Sequence, residues 1–226
     1  MVTFQDVKNN KELKTYIENA DASLKALGFT EHSYAHVNKV AKDAYDLLIG
    51  LGYPERTAEL ARIAGYMHDI GNVINRIDHA QSGAVMAFRL LDKMGMGADE
   101  ISIVIAAIGN HDESTAVPVN PVAAALILAD KSDVRRSRVR NAANGNRKGV
   151  LDSFDIYDRV NYAVEWSTVK LDIDHKAVEL QMQLHPEISA VMDYFEIFLS
   201  RMVLCKRAAE FLGLRFQLKI NDYNLL

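Results

Sequence analysis

The sequence predicts an α+β protein: an all-helical bundle followed by a small ββαβ unit. Two observations carry this. Apolar residues recur at three- and four-residue spacing through the first two thirds of the chain, and the spacing changes to two from about residue 150. A glycine- and asparagine-rich stretch, Asn141 to Gly149, marks the change. The expected organisation is a helical domain over 1–140, a loop or linker over 141–149 and a ββαβ domain over 150–226.

Each element has its own signal. Leu13, Ile17, Leu24 and Leu27 line a first helix that stops near Gly28. Thr30 is the expected N-cap of a second, with Val37, Val40, Ala41, Ala44, Leu47 and Leu48 on one face before Gly50-Leu51-Gly52. Pro54 opens a third, whose stripe of Ala58, Ala61, Ile63, Ala64 and Met67 runs into His68 and Asp69 and ends at Gly71. Further helices are expected from His79 to Leu91, from Ala98 to Ile108, and from Asn120-Pro121 to Val134. Tyr162, Val164 and Trp166, then Val169, Leu171 and Ile173, then Val178, Leu180, Met182 and Leu184 alternate as half-buried strands, with a hairpin turn at Asp174, His175 and Lys176. Pro186 is expected to begin a long helix ending near Gly213, and Phe216, Leu218 and Ile220 form a last strand.

Composition narrows the function. With 226 residues, 49% hydrophobic and 25% charged, the chain has ordinary globular chemistry. A net charge of −4 gives no bulk attraction for nucleic acid or an anionic membrane. The single cysteine, Cys205, forms no internal disulfide and excludes a thiolate-built zinc site, which fits a reducing compartment. No apolar run approaches the ~20 residues of a membrane span, and the first residues carry no leader-like apolar stretch. The expectation is a soluble cytoplasmic protein.

Five of the seven histidines fall between positions 32 and 111. His-Asp dipeptides alone decide little, but their settings differ from chance. His68-Asp69 ends an apolar helix, His36 lies within another, and Asp130 closes the run Ala123-Ala124-Ala125-Leu126-Ile127-Leu128-Ala129. A carboxylate at the end of such a run costs several kcal/mol if left unpaired, so a cation is expected beside it.

The order His36, then His68-Asp69 in "AGYMHDIGN", then Asp130 in "LILADKSD" resembles the HD-domain superfamily of metal-dependent phosphohydrolases over about residues 28 to 140. His79 in "IDHAQSGA" and His111 in "IGNHDES" stand where the two-metal branch carries further ligands. Within the superfamily, the resemblance is closest to bacterial diadenosine tetraphosphate hydrolases. It implies that His36, His68, Asp69 and Asp130 hold one ion, and that Asp69 bridges to a second held by His79 and His111. Imidazole with carboxylate favours iron, manganese, cobalt or nickel over magnesium or zinc. Two ions 3.5 to 4 Å apart clamp the attacking and leaving oxygens at phosphorus.

Other residues fill the expected site less firmly. Many superfamily members carry a lysine directly after the HDIG stretch; here Asn72 stands in its place, and Lys131 and Arg76 are the candidate replacements. His32, one turn before His36 on the expected helix, either reaches a substrate phosphate or caps the helix. Asp112 either joins the second ion or orients His111. From Lys131 to Lys148 the chain holds Lys131, Arg135, Arg136, Arg138, Arg140, Arg147 and Lys148 against Asp133 alone, a local balance of 7 minus 1. These cations either hold a phosphate arm or pair with acids of the protein. The loop 141–149 is a lid or a plain linker, and the C-terminal unit, with Glu179, Gln181 and Gln183 on one face, is a structural or dimerising addition.

The leading functional reading is a phosphohydrolase in which a metal-bound hydroxide attacks a nucleotide-like phosphate ester or anhydride. Asp69 organises the ions and Lys131 stabilises developing charge. An HD-type di-iron oxygenase and a nucleotide-binding regulatory module are the alternatives.

Overall fold

The computed structural model describes residues 1–140 and 156–225. The expected loop over 141–149, with Arg147 and Lys148, lies outside the described residues. Seven helices precede it: α1 (Phe4–Asn9), α2 (Lys11–Ala26), α3 (Tyr34–Gly50), α4 (Glu55–Met67), α5 (His79–Lys93), α6 (Ala98–Gly109) and α7 (Pro121–Lys131). A 3-10 turn, Ile70–Val73, joins α4 to α5, and another covers Arg136–Arg138. After the undescribed segment come α8 (Ile156–Ala163), β1 (Val164–Asp172), β2 (Ala177–Leu184), α9 (Val191–Phe211), β3 (Arg215–Ile220) and the short β4 (Tyr223–Asn224). An all-helical bundle followed by a small α/β part is thus the architecture, as expected. None of the described helices is long and apolar enough to cross a membrane.

Helix α7 is the axis on which both parts pack. Asn120 caps it by accepting from Ala123 N at 2.7 Å, and Pro121 starts it without losing a helical hydrogen bond. Every residue from Val122 to Ala129 is fully buried, because α3, α4 and α6 cover one side and α9 the other. One face, Val122, Ala123, Ala125, Leu126 and Ala129, joins a core with α3, α4 and α6, while Ala124, Ile127 and Leu128 on the other pack into the core of the C-terminal sheet and α9. The helix stops at Lys131, three residues before the expected end, where Ser132 Oγ donates to Leu128 O. Ser167 Oγ of β1 in turn donates to Ser132 O at 2.8 Å, fastening the sheet to the end of α7 that bears Asp130.

Two close approaches of backbone fix how the helices meet. A Cβ on Gly65 of α4 would lie 2.9 Å from Ala41 Cα, so only glycine lets α4 reach α3 at this depth. On Gly71 it would lie 2.6 Å from Gly83 N and still nearer the His79 carbonyl oxygen, so the 3-10 turn rests directly on the first turns of α5. The first contact draws His36 toward His68, and the second draws His79 toward Asp69.

The sheet has the order β1-β2-β3-β4, with β1 antiparallel to β2, β2 parallel to β3 across α9, and β3 antiparallel to β4. Several expected boundaries move. Tyr162 belongs to α8, which the sequence pattern did not separate from the strand that follows. The register shifts between Val164 and Trp166, a bulge that places Val164 and Ser167 inward and leaves Trp166 45% exposed. That one inserted residue explains why the apolar alternation changes from even to odd positions along β1. Helix α9 begins at Val191 rather than Pro186, because Asp193 Oδ2 accepts from Ser189 Oγ and Ala190 N and so closes its first turn. Helix α3 is capped by Ser33, whose Oγ accepts from Ala35 N, and not by Thr30. His32 therefore lies in the loop before α3, not on the helix face of His36.

Candidate metal centre

Six side chains from five elements converge beside α7. His36 comes from the first turn of α3, His68 caps the C-terminus of α4, Asp69 follows it, His79 opens α5, His111 follows α6 and Asp130 lies in the last turn of α7. All four histidines and Asp69 are buried. Ligand atoms of His36, His68 and Asp130 lie within 4.8 Å of one another, as do those of His68, Asp69 and His111.

Local hydrogen bonds set the tautomer of every ring. The Nδ1–H groups of His68, His79 and His111 donate to the carbonyl three residues back, Gly65 O at 2.8 Å, Arg76 O at 3.0 Å and Ile108 O at 2.6 Å. His36 Nδ1–H donates to Asp133 Oδ2 at 2.8 Å. Each Nε2 is thereby left with its lone pair, and all four face the same place. His36 Nε2 and His68 Nε2 stand only 3.3 Å apart, a repulsive pair of acceptors unless a proton or a cation lies beside them.

The carboxylates divide the cluster into two halves. Asp69 Oδ2 is 3.2 Å from His68 Nε2 and 3.6 Å from His36 Nε2, while its Oδ1 is 3.5 Å from His79 Nε2 and 4.0 Å from His111 Nε2. Asp130 Oδ1 serves the first half, 3.3 Å from His36 Nε2 and 3.6 Å from His68 Nε2, and its Oδ2 pairs with Lys131 Nζ at 2.7 Å. Asp112 Oδ1 is 4.0 Å from His79 Nε2. Because His111 Nδ1 is already bonded to Ile108 O, Asp112 does not orient that ring.

The donor set fits divalent cations. Asp69 Oδ2 is buried and accepts no hydrogen bond, a loss of order 1–3 kcal/mol for an unsatisfied oxygen. Asp130 sits at a helix C-terminus, where the carbonyl ends add negative potential. Burial disfavours a charged His68, but the Asp69 and Asp130 carboxylates outweigh it and lift its pKa to about 10. Burial together with the charges of His68 and Lys131 holds His111 down to about 3. Burial also acts against charge on Asp69 and Asp130, yet His68 beside the first and Lys131 beside the second keep both well below the carboxylate range.

A cavity of about 500 Å³ opens onto this cluster. His32, Arg76, Lys131 and Arg138 line it, as do Asp69, His79, His111, Asp112 and Asp130. His32 Nδ1–H donates to Thr30 O at 2.8 Å, and burial with the nearby Arg138 charge keeps its ring neutral. Asn72 Nδ2 donates to Asp69 Oδ1 at 3.0 Å and to Asp69 O at 2.9 Å, and Arg76 Nη1 donates to Asn72 Oδ1 at 3.3 Å. At this position, then, an amide orients Asp69, with a guanidinium one turn further along.

The arginine-rich stretch is mostly committed to the protein itself. Arg135 Nε donates to Asp133 Oδ1 at 2.8 Å, and its Nη2 lies 3.5 Å from Glu31 Oε2. Arg136 donates to Tyr162 O, and Arg140 pairs with Asp21 at 2.7 Å. Arg138 donates to Glu31 O at 3.0 Å and Asp133 O at 2.8 Å while still lining the cavity. Arg135 does not line it.

Two contributions escaped the sequence reading. Asp133, noted there only as the one acid among arginines, holds His36 from 97 residues away. Its spacing of three from Asp130 at the end of a buried helix is the one local signal. Tyr157 and Asn161 of α8 and Ile197, Phe198 and Arg201 of α9 also line the cavity, so the C-terminal unit forms part of its wall. No sequence signal marks them.

A family model for the HD domain matches residues 33–159. Among solved structures, the chain is similar to a predicted HD superfamily hydrolase from an uncultured Thermotogales bacterium, at 24% identity over 55% of this chain and 68% of that one, with a TM-score of 0.44. No curated protein matches the chain.

Proposed function

The chain belongs to the HD-domain family, and we propose that it is a metal-dependent phosphohydrolase acting on a nucleotide-like phosphate ester or anhydride at a dinuclear centre. The observation that carries this reading is the division of Asp69: one oxygen faces His36 and His68, the other His79 and His111. His36, His68, Asp69 and Asp130 would hold one ion, and Asp69, His79 and His111 a second. Iron, manganese, cobalt or nickel suits the mixed imidazole and carboxylate set. When bound, such ions supply Lewis acidity and an activated water at neutral pH.

The chain's own residues do the rest. Asn72 holds Asp69 Oδ1 so that both carboxylate oxygens keep their orientation. Lys131 neutralises the outer oxygen of Asp130 and presents positive charge to the cavity, where an oxyanion develops at phosphorus. Arg76 takes up the phosphate-facing role that Asn72 cannot fill, since it has no carboxylate partner among the described residues and its Nη1 lies 3.4 Å from His79 Nε2. His32 and Arg138 face the substrate from the α2–α3 side, the first as a neutral imidazole and the second as a fixed cation. Arg135 acts indirectly, by bracing Asp133 beneath His36.

The test is turnover by protein stripped with a chelator, reloaded with manganese and kept free of air, against a panel of nucleotides in ¹⁸O-labelled water. The expected result is release of a phosphate or nucleotide product carrying one solvent oxygen. Activity only with iron and dioxygen would replace the reading with an oxygenase. Metal-loaded protein that binds nucleotides without turning any of them over would replace it with a binding module.

A further inference from the structure

Arg201 differs from the other cavity cations in how its donors are used. Lys131 is paired with Asp130, and Arg138 spends its Nε and Nη1 on backbone carbonyls. Arg201 donates only through Nε, to Glu113 Oε1, and its Nη1 and Nη2 make no hydrogen bond among the described residues. Its guanidinium carbon lies 4.3 Å from the centroid of the Phe198 ring, which is fully buried, so one face of the fork is shielded from water.

The anchoring is specific. Glu113 accepts from Arg201 on one oxygen and from Ser200 Oγ on the other at 3.1 Å. Glu113 also follows His111 and Asp112 directly in the chain, so α9 is tied to the loop that carries a metal-facing histidine. Arg201 makes no ion pair with a cluster carboxylate among the described residues; Glu113 is its acidic partner. It therefore faces the same cavity as the cluster without being spent on it.

Charge and size indicate what such a fork would bind. The cavity side chains include four permanent cations, Arg76, Lys131, Arg138 and Arg201, against the four carboxylates of Asp69, Asp112, Glu113 and Asp130. The lining is balanced before any ion binds, and each divalent ion tips it toward anions. At about 500 Å³ the cavity also holds much more than one phosphoryl group. We propose that Arg201 binds a second anionic group of the substrate, beyond the phosphoryl group that reacts, so that the C-terminal unit selects molecules carrying at least two such groups. This rests on the phosphohydrolase reading.

The test uses the full chain with free manganese buffered at a constant level and measures calorimetric binding of orthophosphate and pyrophosphate. Arg201→Met keeps the packing on Phe198 but removes the fork. It is expected to weaken pyrophosphate at least tenfold, to leave orthophosphate within twofold, and to leave metal content unchanged. Arg201→Lys, which keeps charge without the fork geometry, is expected to recover part of the loss and to fold where the methionine variant does not. Equal weakening of both anions by these variants, or of neither, would overturn the proposal. Wild-type protein that retains manganese but binds neither anion would instead remove the phosphohydrolase reading, and the role of Arg201 with it.

Discussion

Replacing Asp133 by asparagine tests how much the centre depends on a residue that touches no ion. Asp133 is buried and spends its two oxygens on two donors, His36 Nδ1–H at 2.8 Å and Arg135 Nε at 2.8 Å. Asparagine has one accepting oxygen, so either orientation of the amide turns its NH₂ toward a donor and loses one of these bonds. The negative charge beside His36 is lost in both. Partners of this kind change metal affinity by 10- to 100-fold, or about 1.4 to 2.7 kcal/mol. The assay is competition against a fluorescent chelator at fixed pH, with thermal unfolding of the ion-free protein as control. The ion-free protein is expected to lose about 1–3 kcal/mol from the one lost hydrogen bond. Metal affinity within twofold of wild type in a folded Asp133→Asn protein would refute the reasoning.

Three further outcomes follow from the same contacts. His79→Ala and His111→Ala are each expected to lower the metal stoichiometry from about two toward one while the fold survives, because His36, His68 and Asp130 keep the first half intact; elemental analysis after gel filtration reads this. Gly71→Ala is expected to cost about 3 kcal/mol or more in denaturant unfolding and to weaken metal binding, since the added methyl meets backbone of α5 that cannot move aside. Cys205 is fully buried and burial pushes its thiol up to about 12, so at pH 8 it should stay protonated and unreactive toward a disulfide reagent until the protein is unfolded.

Much of the molecule was legible because the signals are local. Periodicity and punctuation are properties of neighbouring residues, and α2, α5, α6 and the start of α7 lie where the pattern of apolar residues and caps places them. The six ligand candidates were legible too, since their types and order along the chain survive without any knowledge of distance. Even the bulge in β1 left a trace, as the switch of apolar residues from even to odd positions.

Which groups are available, and which faces of the helices must be buried, follows from the order of residues alone. Which nitrogen of each histidine is free emerges on folding, because that depends on a carbonyl or carboxylate placed by a helix end or by a residue 97 positions away. Folding likewise commits Arg135, Arg136 and Arg140 to the scaffold while Arg201, from a different unit, enters the cavity. An arginine's charge is the same in either role, and only the positions of Asp133, Asp21, the Tyr162 carbonyl and Glu113 around it determine which donors remain unspent. Backbone contacts at Gly65 and Gly71 set how α3, α4 and α5 meet, through approaches too close for any side chain. A sequence records that glycine stands there, but not what it stands against.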